Sequence, residues 1–400
     1  MTRIRTGGPV YEPLSGRSIV CIGTAEWRST LWTNQQHLMS RLARSNRIVY
    51  TESLGLRRPT AAARDLGRLA RRLRDGLRGA RRLDGVWVVS PLVVPSHGSP
   101  AVRRLNRALL GATLRRAVRR AGLERPLLWA YNPHAHELID TLRPSLVVYH
   151  CVDDIAAQEG VDEVSFTAAE RALTARADLV LVSARPLEER MRGLGAPRVA
   201  YLPNVADVEH FAGAASMPEP AALRSVPRPR LLFAGAIAAK KLDVPLLAEL
   251  ARRRPDWSLV LVGPVGEGDP RGDLDALRTR PNVTFAGQRP FEELPAWVGA
   301  ADVCLIPYAH NRYTASVFPM KVYEYLAAGR PVVSTPLPAL RDLEGLAFAE
   351  GTDAFEAQVE AVLREDGQAR REDRRALARR NSWERRVEEI GRLVAECEAR

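Results

Sequence analysis

The chain has 400 residues, 46% of them hydrophobic and 26% charged, with a formal net charge of +12. Those proportions suit a soluble globular protein and exclude disordered and fibrous classes, while the length exceeds what one core usually serves, so two domains are expected. No apolar run reaches the roughly 20 residues of a membrane span. The first residues lack a secretory apolar core, and Cys21, Cys151, Cys304 and Cys397 are too dispersed for a zinc or disulfide framework. A cytoplasmic location with buried thiols follows as the expectation.

In chain order, residues 1–16 read as a flexible tail. "SIVCIGTAEW" is an apolar strand entering a loop, followed by a helix from about Trp32 to Ala43 and the strand "RIVYTES". Leu66, Leu69, Leu73, Leu77 and Leu83 recur at near-helical spacing among arginines, predicting a helix over Ala61–Leu83. The strand "VWVVSPLVVP" and a second arginine-studded helix, Val102–Ala121, come next. "PLLWAYNP", a helix from His134, "SLVVYHCVDD", a helix around Ala168–Ala177, "DLVLVSA", a helix to Leu194 and "VAYLPN" complete the first half. Residues 209–229, rich in Pro and Ala, read as a linker. The alternation restarts with "RLLFAGAI", a helix Asp243–Arg253, "SLVLVGPV", a helix near Leu274, "VTFAGQ", a helix Phe291–Ala300, "DVCLIPY", a helix from Pro319 and "PVVSTP". From about Asp353 to Arg400 the pattern is helical throughout. Continuous apolar strands alternating with helices predict α/β architecture: two doubly wound Rossmann-like domains, 17–208 and 230–380, facing a cleft.

Charge is unevenly placed. From Arg57 to Arg125 eighteen arginines face four carboxylates, so this segment carries +14 and the rest of the chain is nearly neutral. Amphipathic helices with a solvated basic face would explain it. So would peripheral contact of the helices 64–82 and 102–120 with an anionic membrane at the inner face. Nucleic-acid binding is disfavoured because no recognition module accompanies the charge.

Of 59 basic residues only Lys240, Lys241 and Lys321 are lysine. In "FPMKVYEYLAAGRPVVSTP", Pro319 suits a first helical position and Gly329 a left-handed cap. Lys321 in the first turn is unfavourable unless an anion joins it, and a phosphate would satisfy both the lysine and the free amides. Glu324, three residues on, could accept from ribose hydroxyls; the same spacing also makes a surface Lys–Glu pair. "FAGAIAAKKLD" and "LVGPVGEG" are further strand ends with glycine loops, and "LIPY" closes another strand at the same cleft edge. In "YHCVDDIAAQ", Asp153 or Asp154 could take a proton from an acceptor hydroxyl, or cap the next segment. "WAYNPHAHEL" offers Asn132, His134 and His136, as ligands or as a helix cap. Trp27, Asn34 and His37 follow the first strand on the acceptor side. Asp273 and Asp275 form a D-x-D within a predicted helix, a poor setting for a metal.

Three stretches, "LLFAGAI…LDVPLLAELARRRPDWSLVLVGPV", "NVTFAGQRPFEELPAWVGAADVCLIPY" and "FPMKVYEYLAAGRPVVSTPLPALRDL", resemble the donor domain of GT-B glycosyltransferases. The match is closest to the family 4-like branch of xanthan-type glucuronosyltransferases and teichuronic-acid-type transferases. "NSWERRVEEI" resembles their closing helix, placing a crossover helix at 381–400. The resemblance is strong over Arg230–Arg400 and looser before. It implies a hexosyltransferase-type enzyme of bacterial polysaccharide or glycoconjugate biosynthesis. Its donor is a nucleotide sugar, UDP-linked at first choice, and its acceptor a glycan, lipid-linked or small-molecule hydroxyl; no metal or cofactor is expected. By resemblance Lys321 binds the diphosphate and Glu324 the ribose. The loop at Gly235, Tyr308 and Met320 line the nucleotide pocket, Lys240 or Lys241 reaches a phosphate, and Asp153, before Asp154, is the base. From the residues themselves, Gly263 joins the nucleotide side, and His134 or His136 could touch the donor sugar or its phosphate or serve a helix cap. Many retaining relatives carry glutamate eight residues before the ribose-binding one; here Ser316 stands there, so the stereochemical course stays open. A nucleotide-sugar epimerase or hydrolase of the same fold, and a non-catalytic nucleotide-sugar-binding partner subunit, are the alternatives.

Overall fold

The computed structural model describes residues 14–29, 32–53, 74, 76, 79–91, 100–158, 160–266, 269 and 272–399. Two sheets organise them. The first contains β1 (Ser18–Ile22), β2 (Arg47–Thr51), β3 (Arg81–Leu83), β4 (Val86–Val89), β5 (Leu127–Ala130), β6 (Leu146–Cys151), β7 (Leu179–Val182) and β8 (Val199–Tyr201). The second contains β9 (Arg230–Ala234), β10 (Ser258–Val262), β11 (Val283–Gly287), β12 (Val303–Ile306), β13 (Val332–Ser334) and β14 (Ala347–Phe348). Their spatial orders are β3-β4-β2-β1-β5-β6-β7-β8 and β11-β10-β9-β12-β13-β14. The central strands are Val, Ile and Leu runs buried at every position in β6, β7, β9, β10 and β12, as helices on both faces require. The expected α/β fold of two doubly wound sheets is therefore present.

The helices are α1 (Asn34–Leu42), α2 (Pro100–Arg120), α3 (Ile139–Leu142), α4 (Glu163–Thr174), α5 (Arg185–Gly193), α6 (Val208–Ala212) and α7 (Val244–Arg253). They continue with α8 (Asp275–Arg278), α9 (Leu294–Gly299), α10 (Arg312–Ala315), α11 (Lys321–Ala327), α12 (Gly351–Glu365), α13 (Gln368–Arg380) and α14 (Trp383–Glu398).

Several expectations change. Most of the arginine-rich helix placed at 64–82 lies outside the described residues, but Arg81–Leu83 is strand, paired antiparallel with β4 across the turn at Asp84–Gly85. Its leucine spacing continued past the point where the turn ends any helix. The helical region after Asp353 consists of three helices, broken at Asp366–Gly367 and at Asn381–Ser382, the last of them at the place expected for the crossover helix. Pro319 precedes α11 instead of opening it. Gly329 does stop that helix, at φ +74°, with Arg330 N–H bonded to the Tyr325 carbonyl. The Pro- and Ala-rich stretch after β8 carries α6 and two 3-10 turns at its start and middle.

Strand order places the functional edge. In the second sheet β9 has β10 on one side and β12 on the other, so chain direction reverses there, and the crevice beyond the carboxyl ends of those strands is where α/β sheets bind ligands. The first sheet reverses likewise at β1, between β2 and β5. After α13, the crossover helix α14 returns to the first sheet. Trp383, Ile390 and Val394 are fully buried there, each contributing roughly 1.5–3 kcal/mol of burial. Arg41 bonds Glu384 at 3.2 Å and Arg17 bonds Glu398 at 2.5 Å along its length.

Candidate active site

The second-sheet wall starts at two glycines. Gly235 follows β9 at φ +151° and Gly263 follows β10 at φ +144°, a region that disfavours any side chain. A Cβ on Gly263 would lie 2.0 Å from the Gly235 carbonyl oxygen, and one on Gly235 would lie 2.9 Å from both Cε and Nζ of Lys321. The glycines thus let the lysine lie across the strand ends. Its Nζ donates to Tyr308 Oη at 3.3 Å and sits 5.4 Å from the Phe233 ring centre. Lys241 Nζ is 5.0 Å from the centre of the Tyr308 ring. Burial pushes the Tyr308 phenol up, yet the two lysine charges and their hydrogen bonds hold it below its ordinary value. Among the described residues no carboxylate lies within ion-pair distance of Lys321 or Lys241. In a chain whose arginines are widely paired, these two half-buried cations make no ion pair among the described residues, although Lys241 acts electrostatically on Asp153 and Lys321 on Glu324.

Tyr308 itself is fully buried, a correction to its expected place in the pocket lining: it lies beneath the lysines and orients them. Lys240 is held by its backbone, N–H to Asp269 Oδ2 at 2.8 Å, with Nζ 6.0 Å from the Tyr313 ring centre. Met320 is half-buried immediately before α11. Glu324 is half-buried on the same face as Lys321 without forming a salt bridge to it, so the surface Lys–Glu pair is not what the spacing makes. Its carboxyl is raised by burial, with Lys321 opposing and Asp207 adding to the shift. Ser316 is nearly buried after α10.

The first-sheet wall presents one uncommitted carboxylate. Asp154 is buried and bonded to Arg190 at 2.6 Å, with Arg312 at 3.5 Å; Arg190 also pairs with Glu170. Asp153, just past β6, has no hydrogen bond or ion pair to its carboxylate among the described residues. Burial raises its pKa to about 6; Lys241 pulls it down and Asp154 pushes it up. That Lys241 acts on Asp153 places the two walls within electrostatic reach. Arg312 spans them physically, bonding Glu163 at 2.7 Å.

Of the remaining first-half candidates, Trp27, His37, Asn34 and Asn132 are buried. Trp27 is 1% exposed, its indole N–H donating to Asp84 at 3.1 Å. His37 is 2% exposed, stacked on Trp383 and flanked by Trp32 and Phe291, and burial with the nearby Arg41 lowers its pKa to about 4. Asn34 is buried with both amide atoms bonded, to Tyr131 and Asn204. Asn132 is fully buried and caps the 3-10 turn Pro133–Leu138 through the His134 N–H, the capping alternative. Polar type at a strand end pointed to these residues; what the sequence concealed is that helices α1 and α14 cover that edge. His134 is half-buried beside His136, whose Nδ1 contacts the Pro133 carbonyl at 3.0 Å. Asp273 accepts from the Asp275 N–H at 2.8 Å, a turn contact. Arg190, Arg312 and Asn204 were missed: their partners lie tens to over a hundred residues away, beyond any local pattern.

The family Glycosyl transferases group 1 matches residues 228–365. TuaH of Bacillus subtilis (strain 168), by name a teichuronic acid biosynthesis glycosyltransferase, is 30% identical over 277 residues, 65% of this chain and 69% of TuaH. The chain belongs to the GT-B glycosyltransferases. A 2-deoxystreptamine glucosyltransferase of Streptomyces kanamyceticus is 28% identical over 239 residues, 54% of this glycosyltransferase and 59% of that protein. Among solved structures, sucrose-phosphate synthase from Thermosynechococcus elongatus shares the fold at a TM-score of 0.68 and 17% identity, covering 96% and 99% of the two chains. Anabaena HepE in complex with UDP and glucose shares it at 0.63 and 17% identity, covering 95% and 98%. The matched range holds Gly235, Lys240, Lys241, Gly263, Tyr308, Met320, Lys321 and Glu324, and begins after Asp153.

Proposed function

We propose that this glycosyltransferase takes its sugar from a UDP-sugar and delivers it to an acceptor hydroxyl, with Asp153 as general base and no divalent metal. The observation that carries the reading is the pair of lysines that make no ion pair among the described residues, Lys321 and Lys241, packed on one buried phenol across from a carboxylate of raised pKa. Two like charges in one half-buried place call for an anion, and a diphosphate is the right size and charge. Asp153 removes the hydroxyl proton while that oxygen bonds to the anomeric carbon and the bond from carbon to UDP breaks. Negative charge grows on the leaving diphosphate, where Lys321 and Lys241 stabilise it most in the transition state. A carboxylate with pKa about 6 is mostly ionised at neutral pH yet more basic than usual. Glu324 would accept from the ribose hydroxyls, Gly235, Gly263 and Met320 would border the nucleotide, Lys240 would reach a phosphate, and His134 would contact the donor sugar. HepE, seen with UDP and glucose, supports the choice of nucleotide through a shared fold.

The acceptor is proposed to be a glycan, a lipid-linked sugar or a small molecule with a free hydroxyl. Contact with an anionic membrane is supported by α2, which exposes Leu105 and Leu109 beside Arg104, Arg107, Arg115, Arg116, Arg119 and Arg120. No helix among the described residues is long and apolar enough to cross a membrane. Replacing Arg115, Arg116, Arg119 and Arg120 by Gln is expected to abolish co-sedimentation with anionic vesicles at physiological salt; equal binding to uncharged vesicles would refute the contact.

Calorimetric titration of UDP in EDTA tests the donor site. The native chain should bind, and Lys321→Ala should bind about 10–100-fold more weakly, the value of one charge-assisted contact. Unchanged affinity would remove Lys321 from the phosphate site, and binding only when a divalent metal is supplied would overturn the metal-free reading.

A further inference from the structure

We propose that Asn34 and Asn204 are positioning residues that hold Lys321 in place from the first sheet; this rests on the reading of Lys321 as a diphosphate ligand. Three side chains form one hydrogen-bonded chain. Tyr131 Oη donates to Asn34 Oδ1 at 2.9 Å, Asn34 Nδ2 donates to Asn204 Oδ1 at 2.7 Å, and Asn204 Nδ2 donates to the Phe318 carbonyl at 2.9 Å. All three side chains are buried: Tyr131 is 2% exposed, Asn34 6% and Asn204 9%.

The chain has one polarity. A backbone carbonyl can only accept, so Asn204 must present its NH2 to Phe318 and its oxygen to Asn34, which must then turn its own oxygen to the tyrosine. Reversing any amide sets oxygen against oxygen, and buried polar groups left unmatched are costly. The arrangement therefore closes in one way, and only when α1, the segment after β8 and the segment before α11 occupy these relative positions. Asn34 and Asn204 are 170 residues apart and Asn204 and Phe318 114 apart.

The far end matters most. Phe318 stands three residues before Lys321, with its ring buried and stacked on Tyr323 at 5.9 Å. Pro319 follows, with a fixed φ and no N–H. A held carbonyl, a stacked ring and a rigid proline leave little freedom in the approach to Lys321. At the near end, Tyr131 adjoins Asn132, the cap of the turn that carries His134. One hydrogen-bonded chain thus runs from the end of β5 to Phe318, at the approach to Lys321. Asn34, expected to face the acceptor, acts instead through the donor side.

A double-mutant cycle on UDP affinity tests this. Asn204→Leu removes both hydrogen bonds without adding charge, and is expected to weaken UDP binding about tenfold. In that background Lys321→Ala should cost far less than it does alone, because the lysine is already misplaced. Equal losses from Lys321→Ala in both backgrounds, or native affinity in Asn204→Leu, would overturn the positioning role while leaving the donor site intact. No loss from Lys321→Ala alone would instead overturn the donor reading and this inference with it. Should Asn204→Leu fail to fold, Tyr131→Phe deletes only the first donor. It should weaken UDP about threefold when Lys321 is present and not when it is Ala, and additive behaviour there overturns the role equally.

Discussion

The two walls of the cleft handle polar side chains in opposite ways. On the second sheet, Lys321 and Lys241 are half-buried and make no ion pair among the described residues, and Gly235 leaves room for Lys321. On the first sheet several polar groups near the edge are spoken for: Asp154 by two arginines, Asn34 by Tyr131 and Asn204, Trp27 by Asp84. Asp153, the Asn132 amide nitrogen, the Thr51 hydroxyl and the His150 ring nitrogens are not. A site prepared for a charged ligand keeps charges of one sign uncompensated, whereas a scaffold that only positions other groups satisfies its own. By that criterion the second-sheet wall is suited to an anionic ligand, and the committed groups of the first-sheet edge are suited to support.

The contrast can be broken in three places. Asp153→Asn should lower kcat by about 100–10,000-fold, the range for general-base catalysis, while UDP affinity stays within about twofold. If Asp154→Asn did this and Asp153→Asn did not, the division between free and committed carboxylates would be wrong. A smaller effect concerns pH. With a pKa raised to about 6, Asp153 is the base only when deprotonated, so kcat/KM should fall as pH drops through about 6 and level off above it. Lys241 lowers that pKa, so Lys241→Gln should move the acid limb to higher pH, as read from a full pH–rate profile. An unmoved limb would separate the two walls electrically. The smallest change is expected from Arg312→Gln. Its bonds to Glu163 and Asp154 are partly exposed and screened by salt, so kcat/KM should change by no more than about threefold, and most at low ionic strength. A loss that persisted at high salt would mean that Arg312 touches substrate.

How much could be read beforehand follows the same division. Gly235, Lys241 and Lys321 sit in short local patterns, each a strand end with a glycine and a lysine or a helix start, so their meeting at one strand edge was legible. The strand alternation was legible because burial on both faces requires apolar runs. The first-half edge was not, since α1 and α14 bury it and α14 begins more than 350 residues after β1 ends. Polar residues at strand ends look alike in sequence whether a helix later covers them or not. The antiparallel β3 was hidden by leucines whose helical spacing ran on into it, and the tie from Asn204 to Phe318 by its sequence separation.

The return of α14 to the first sheet has a consequence for how the molecule is made. Trp383 stacks on His37 of α1, and Ile390 and Val394 complete the burial alongside it. During synthesis from the amino end, the strands of the first sheet emerge long before the residues that cover them. That half must wait, with an apolar face open, until the second domain has been translated. The first half is therefore expected to be a poor folding unit by itself, and a chain stopped before Trp383 to aggregate even with every residue of the cleft present.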